Sequence, residues 1–206
     1  HIEVQVFCDD FGHAVWFPER DCSLQRNKQK VIEESPCSLI SEDERQYLGK
    51  LALKAVQAID YRNTGTLEFL MDQAHHFYFM EMNTRIQVEH TVTEMVTDID
   101  IVQSQILIAD GADLYKDLEL PAQDQLEHNG YGIQCRVTTE DPENNFMPDT
   151  GRIETYRSPG GMGVRLDGGN AYAGAVITPY FDSLLVKACV HGRTFKSAVR
   201  RMIRVL

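Results

Sequence analysis

Glu81, Asn83, Arg85, Gln87 and Glu89 stand at every second position of one short stretch. On an extended backbone, alternate side chains face the same way. The spacing therefore lines carboxylates, amides and a guanidinium along one wall, with Met82, Ile86 and Val88 turned away. The lead-in, Phe77-Tyr78-Phe79-Met80, is aromatic and apolar and predicts a buried strand. A strand that leaves the core and ends in alternating charges points to a site, because buried charges need partners. The competing reading is a solvated strand end laced with ion pairs, which needs neither the amide spacing nor the apolar lead-in.

A second acid joins this wall through a hairpin. Thr66 to Met71 reads as a strand, Asp72 to His76 as a turn, and Phe77 to Met82 as the return strand. That loop length sets Glu68 opposite or nearly opposite Glu81. Two carboxylates facing across a strand pair repel. Either one is protonated or a cation lies between them. Asn83 points the same way and adds a neutral oxygen. Oxygen-only ligands suit magnesium or manganese, the usual companions of ATP chemistry. In the bland alternative, one of the acids faces solvent.

Other charged stretches are weaker signals. Gln25-Arg26-Asn27-Lys28-Gln29-Lys30 is dense in cations and would ordinarily be a solvated loop. Beside an anion site, one of its lysines could face a phosphate or a carbonate. His75 and His76 fall in a turn and read as surface residues. Pro159-Gly160-Gly161-Met162-Gly163 lacks the strand-to-helix setting and the Lys-Ser/Thr of a phosphate loop, and reads as a turn.

The elements that must position these groups follow from pattern. Residues 1–18 form a hairpin that turns at Asp9-Asp10-Phe11-Gly12, and residues 19–36 read as a polar, basic connection. Ser41 with Glu44 makes a capping box for a helix whose apolar face carries Leu48, Leu51, Ala52, Ala55, Val56 and Ile59. Asp100 to Asp110 is a second helix, ended by Gly111. Residues 112–130 are polar and read as a linker. Residues 131–206 form a second unit of short strands, with turns at Asp141-Pro142, Pro148-Asp149, Ser158-Pro159-Gly160-Gly161 and Asp167-Gly168-Gly169. A helical stripe of Phe195, Ala198, Val199, Met202, Ile203 and Leu206 closes the unit. The class is α+β with mostly antiparallel sheet.

Bulk properties bound the function. The chain has 206 residues, 43% hydrophobic and 25% charged, ordinary for a globular protein with a real core. A net charge of −11 argues against nucleic-acid binding through phosphates. No apolar run approaches a membrane span. The five cysteines are scattered and include no C-x-x-C, which predicts buried free thiols in a reducing compartment, with no zinc site and no disulfide framework. The strand already running at His1 and the apolar helix ending at Leu206 read as a piece of a longer polypeptide.

At this point the motifs resemble a family. Gly65-Thr66-Leu67-Glu68-Phe69 followed by Glu81-Met82-Asn83-Thr84-Arg85-Ile86-Gln87-Val88-Glu89-His90 looks like the active-site signature of the biotin carboxylase component of biotin-dependent carboxylases. Glu19-Arg20-Asp21-Cys22-Ser23-Leu24-Gln25-Arg26 and Gln134-Cys135-Arg136 with Glu140-Asp141-Pro142 match the same family. The resemblance covers the whole chain. Thr91-Val92-Thr93-Glu94 and Pro148-Asp149-Thr150-Gly151-Arg152-Ile153 are most similar to its pyruvate carboxylase branch. One departure stands out: the family usually reads Gln-Arg-Arg-His-Gln-Lys where this chain has Asn27 and Lys28.

The resemblance implies an ATP-grasp fold: its C-terminal half over residues 1–111, the linker, and an incomplete biotin carboxylase C-terminal domain over 131–206. It implies carboxylation of biotin by bicarbonate and ATP through carboxyphosphate. Glu68, Glu81 and Asn83 would hold Mg2+ or Mn2+. Lys30, Arg85, Gln87 and the Val88 backbone would surround bicarbonate. Glu89 would be the general base, its pKa lowered by Arg85. Arg136 would face the biotin ureido oxygen. His1, Gln25, Lys28, Leu70 and Glu81 would line the nucleotide. Met162 and Arg165 match positions at the family's dimer contact. A biotinyl carrier domain and a carboxyltransferase domain of the same polypeptide are the expected partners, in a homo-oligomer, in the cytoplasm or, if eukaryotic, the mitochondrial matrix. No membrane or nucleic-acid partner is expected. Residues 1–206 alone are expected to be inactive, because no Gly-rich lid and no lid lysines are recognisable. The alternatives are the biotin carboxylase of an acetyl-CoA or propionyl-CoA carboxylase, another ATP-grasp ligase such as a carbamoyl phosphate synthetase or a purine-pathway carboxylase, and a non-catalytic module that keeps the fold.

Overall fold

The computed structural model describes residues 1–169, 171–180 and 183–206. The strands are β1 (Ile2–Cys8), β2 (Ala14–Trp16), β3 (Arg20–Arg26), β4 (Gln29–Ser35), β5 (Asn63–Met71), β6 (Phe77–Asn83), β7 (Tyr131–Thr138), β8 (Glu140–Asp141), β9 (Met147–Pro148), β10 (Gly151–Arg152), β11 (Val164–Gly168), β12 (Val176–Ile177) and β13 (Leu184–Gly192). The helices are α1 (Glu42–Ala58), α2 (His90–Thr97), α3 (Ile101–Ala109) and α4 (Phe195–Val205). One antiparallel sheet runs in the order β11-β13-β7-β4-β3-β1-β5-β6, with β2 beside β1. Its continuity across the β4–β7 pair joins early and late residues in one surface. No helix among the described residues is long and apolar enough to cross a membrane.

Three predicted elements form as the pattern demands. Ser41 and Glu44 close the capping box of α1. Asp100 caps α3, and Gly111, at φ +93°, takes the left-handed turn after it. β1 and β2 make the expected hairpin, with Asp9 accepting the N–H groups of Phe11 and His13. The five cysteines are free and buried.

Several expectations need correction. Residues 19–36 are no loose connection: they hold β3 and β4, a hairpin in the middle of the sheet. Asn27 and Lys28 both take positive φ, as a two-residue hairpin turn requires. The strands were hidden because their inward residues are charged rather than apolar: Arg20 and Glu33 are fully buried. β6 is the edge strand, so Tyr78, Phe79 and Met80 are half-exposed where the aromatic run predicted burial. Aromatic composition reports strand propensity, not depth. On the helices, Ile59 and Ile203 lie outside the buried faces. Asp167 and Gly168 belong to β11 instead of a turn.

The core has three parts. α1 packs Leu48, Ala52 and Val56 against Val4, Val6 and Trp16. Phe7, Phe17 and Ile101 form a second cluster that Leu114 and Leu120 join from the 112–130 stretch. Ile133, Ala188, Val190, Ala198 and Met202 form the third, under α4. Burying Leu114 and Leu120 fastens that stretch to the first cluster, each side chain contributing about 1.5–3 kcal/mol relative to exposure.

Candidate active site

An open cleft of about 810 Å³ lies on one face of the sheet. Every residue expected at the bicarbonate, biotin, nucleotide and metal sites lines it: His1, Gln25, Lys28, Lys30, Glu68, Leu70, Glu81, Asn83, Arg85, Gln87, Val88, Glu89 and Arg136. Met162 and Arg165 lie elsewhere, beside and on the sheet's outer strand β11.

The wall is built differently from the alternating strand predicted. β6 ends at Asn83, and residues 84–89 turn into α2. Glu81 and Asn83 reach the cleft from the strand. Arg85, Gln87, Val88 and Glu89 reach it from the turn. Ile86 packs away from it, toward the Phe7 cluster. Val88 was expected to face away but lines the cleft, because period-two facing stops where the strand stops.

Glu68 does lie directly opposite Glu81 in register. Asn83 Nδ2 donates to Glu68 Oε1 at 2.6 Å and reaches Glu81 Oε1 at 3.4 Å, so one amide spans both carboxylates. Turning that amide over would present its oxygen beside theirs, a donor set that suits a hard divalent cation. Glu68 is further held by His1 Nε2 at 2.5 Å and by Gln87 Nε2 at 2.7 Å. Burial works to raise its pKa, but the His1 hydrogen bond and the Lys30 charge outweigh that and keep it below the usual range. It is therefore ready to serve as an anionic ligand. Gln25 Nε2 meets His1 Nδ1 at 2.9 Å, which ties the cation-rich hairpin to this acid cluster.

Behind the acids lies an alternating charge network. Lys30 Nζ contacts Glu3 and lies 2.7 Å from Glu89 Oε1 and 3.5 Å from Glu68 Oε1. Arg136 bridges Glu33 Oε1 at 2.6 Å and Glu89 Oε2 at 2.9 Å. Both oxygens of Glu89 are thus taken by cations. Burial alone would raise the Glu89 pKa; Arg20, Lys30 and Arg136 instead draw it down to about 2. Arg85, expected to do this, is exposed and bonds only the Ile86 carbonyl among the described residues. Its guanidinium has no carboxylate partner among the described residues and lines the cleft wall.

Arg20 was quoted in a motif but given no role, and the structure makes it the centre of the support. It is fully buried. Nε bonds Glu3, Nη1 bonds Gln5 and Thr93, and Nη2 bonds Thr66 and Gln87. All of its donors are used. Glu3, which accepts from Arg20 and Lys30, is equally buried, and burial raises its pKa against their pull. Glu33, Gln134 and Thr91 extend the network under Arg136 and were also missed. Glu33 was hidden because β4 did not read as a strand, while Thr91 on α2 and Gln134 on β7 stood in quoted motifs with no role given.

Known proteins share this chain's pattern. Residues 1–117 match the model of the carbamoyl-phosphate synthase L chain, ATP binding domain, and residues 134–206 match that of the biotin carboxylase C-terminal domain. The pyruvate carboxylase of Aspergillus niger is 53% identical over 206 residues, all of this chain and 17% of that protein. The pyruvate carboxylase of Bacillus subtilis is 53% identical over 207 residues, 18% of its length. The chain thus spans under a fifth of the curated relatives it matches. The complete multifunctional pyruvate carboxylase from Rhizobium etli superposes with a TM-score of 0.96 at 51% identity, over 99% of this chain and 20% of that one. The biotin carboxylase domain dimer of Hydrogenobacter thermophilus 2-oxoglutarate carboxylase, in complex with MgADP, ADP and bicarbonate, gives 0.94 at 45% identity, over 99% of this chain and 44% of that one. With its antiparallel sheet, paired acids and both family matches, this chain belongs to the carbamoyl-phosphate synthase L chain ATP-binding family, an ATP-grasp part followed by a biotin carboxylase C-terminal domain.

Proposed function

We propose that the cleft carboxylates biotin at the expense of ATP, with bicarbonate as the carboxyl source, as the biotin carboxylase part of a pyruvate carboxylase. The observation that carries this reading is the convergence on one cleft of two opposed carboxylates, a guanidinium with no carboxylate partner among the described residues, and a buried, cation-held glutamate. A bicarbonate oxygen would attack the γ-phosphorus of ATP, ADP would leave, and carboxyphosphate would form. Its carboxyl group would pass to the ureido nitrogen of biotin, releasing phosphate.

The residues divide the work. Lys30, Arg85, Gln87 and the Val88 backbone would bind bicarbonate, and Glu89 would take its proton. Arg136 would stabilise charge on the ureido oxygen. His1, Gln25, Lys28, Leu70 and Glu81 would line the nucleotide; Lys28, at a hairpin tip, is exposed and free to approach a phosphate. Glu68, Glu81 and Asn83 would hold Mg2+ or Mn2+, which when bound would neutralise phosphate charge. Residues 1–111 and 131–206 would be the two domains, joined through 112–130. Met162, 89% exposed, and Arg165 would lie at a contact between copies, next to carrier and carboxyltransferase domains of the same polypeptide. The free, buried cysteines favour a reducing compartment, cytoplasm or mitochondrial matrix.

The metal assignment gives the test. In the whole protein, Glu68→Gln and Glu81→Gln are each expected to raise the divalent metal concentration needed for bicarbonate-dependent ATP cleavage by about tenfold or more, since each removes a charged ligand from a hard cation. Metal titration of initial rates reads this directly. Unchanged metal dependence in both variants would end the assignment.

A further inference from the structure

Lys187 is a cation that the proposed reaction leaves without a task. On β13 it lies directly opposite Arg136 of β7 on one side and Asp167 of β11 on the other. Like charges facing each other across an antiparallel pair are destabilising. Both cations also reach the turn at the N-terminus of α2, where the helix dipole disfavours positive charge. Arg136 Nη2 meets Glu89 Oε2 at 2.9 Å, and Lys187 Nζ donates to the Val88 carbonyl at 3.1 Å. The Lys187 side chain is only 12% exposed, so water screens it little. An arrangement unfavourable in two ways and kept at one point marks a functional position.

The grip has a definite geometric consequence. A trans peptide is planar, with its C=O and N–H opposed. Holding the Val88 carbonyl on the Lys187 side therefore turns the Glu89 N–H to the other side. Val88 and Glu89 line the cleft, and Lys187 does not. Neither the Val88 N–H nor the Glu89 N–H has an acceptor among the described residues. Successive free N–H groups in a turn make a concavity for an anion. Asp167 Oδ2, 3.3 Å from Lys187 Nζ, keeps the lysine from swinging away. We propose that Lys187 is a positioning residue: it clamps the Val88–Glu89 peptide so that the free N–H donors of this turn are presented to the bicarbonate in the cleft. The proposal rests on the bicarbonate reading above.

The test is kinetic, in the whole protein. Lys187→Met keeps the length and removes the donor and the charge. The KM for bicarbonate is expected to rise about tenfold, the loss of one charge-assisted hydrogen bond's positioning. The KM for ATP and kcat at saturating bicarbonate should stay within about twofold, because the loss concerns binding of one substrate. Lys187→Arg, which keeps a charged donor, should recover most of the bicarbonate KM. The upward shift in melting temperature that added bicarbonate gives the parent should shrink in Lys187→Met, a readout independent of turnover. Lys187→Gln carries the same expectations where the methionine variant does not fold. A parental bicarbonate KM in these variants would overturn the proposal, as would equal losses in all parameters that arginine fails to rescue. If the parent itself shows no bicarbonate-dependent ATP cleavage, it is the proposed function that fails, not the role of Lys187 alone.

Discussion

Glu89→Gln, made in the whole protein, is expected to lower bicarbonate-dependent ATP cleavage by roughly 10²-fold or more while ATP binding is retained, because it would remove the proposed base and keep the size. Glu89 is 2% exposed, with Lys30 on one oxygen and Arg136 on the other. Despite burial, its folded-state pKa, about 2, lies below the ordinary carboxylate value of 4.5 because Arg20, Lys30 and Arg136 stabilise the charge. A depressed carboxylate contributes stability that is present above the unfolded value and lost as pH falls through the folded one. For Glu89 that window runs from 4.5 down to about 2, so no acid limb of the kcat/KM profile above about pH 5, which reports the free enzyme, should belong to it. So low a pKa makes a weak base while both cations hold it. Binding bicarbonate at Lys30 and biotin at Arg136 would draw those cations off and raise its basicity where the proton is taken. Calorimetric ATP binding beside initial rates separates the outcomes. Turnover within a few-fold of the parent, with the variant folded, would move the base elsewhere.

Arg20→Met should have the largest effect on stability, about 3–5 kcal/mol, the usual cost of leaving one member of a buried ion pair uncompensated. Arg20 has no exposed surface, and Glu3 beside it has none either. The variant would leave Glu3 to Lys30 and, 3.8 Å away, the His1 ring, and strip a donor from Gln5, Thr66, Gln87 and Thr93. Arg20→Lys should recover little, because an ammonium cannot reproduce the planar fork that meets five acceptors at once. Urea unfolding measures both. A midpoint for Arg20→Met that corresponds to a loss under about 1 kcal/mol would show that the network is not structural. Gln87 depends on Arg20, so a folded fraction of the variant should also bind bicarbonate weakly.

What the sequence made legible was the wall and its chemistry. Loop length puts Glu68 opposite or nearly opposite Glu81, and a bulge between Glu68 and Phe69 brings the two directly face to face. The capping box and the cap of α3 were equally readable, because each is a local hydrogen-bond pattern. The polar hairpin β3–β4 was not. Its signal depends on partners brought by distant strands: Arg20 is satisfied by Thr66, Gln87 and Thr93. Nor could alternation show that the strand stops at Asn83 and that a turn carries Arg85 to Glu89, since both geometries bring alternate polar residues to one cleft. The cations around Glu89 follow the same rule. Arg85 was its neighbour in sequence, but Arg20, Lys30 and Arg136 are its neighbours across the sheet.

The central claim is that this cleft moves a carboxyl group from bicarbonate to biotin. The most direct measurement follows labelled carbon from bicarbonate into free biotin, in the whole protein with ATP and a divalent metal, for the parent and for Arg136→Met. Arg136 is one-fifth exposed at the cleft wall and anchored by Glu33 and Glu89, a fixed guanidinium of the kind that stabilises developing oxyanions. The parent is predicted to label biotin, and Arg136→Met to lose that labelling far more than it loses bicarbonate-dependent ATP cleavage. Cleavage of ATP by the parent with no label in biotin would contradict the account.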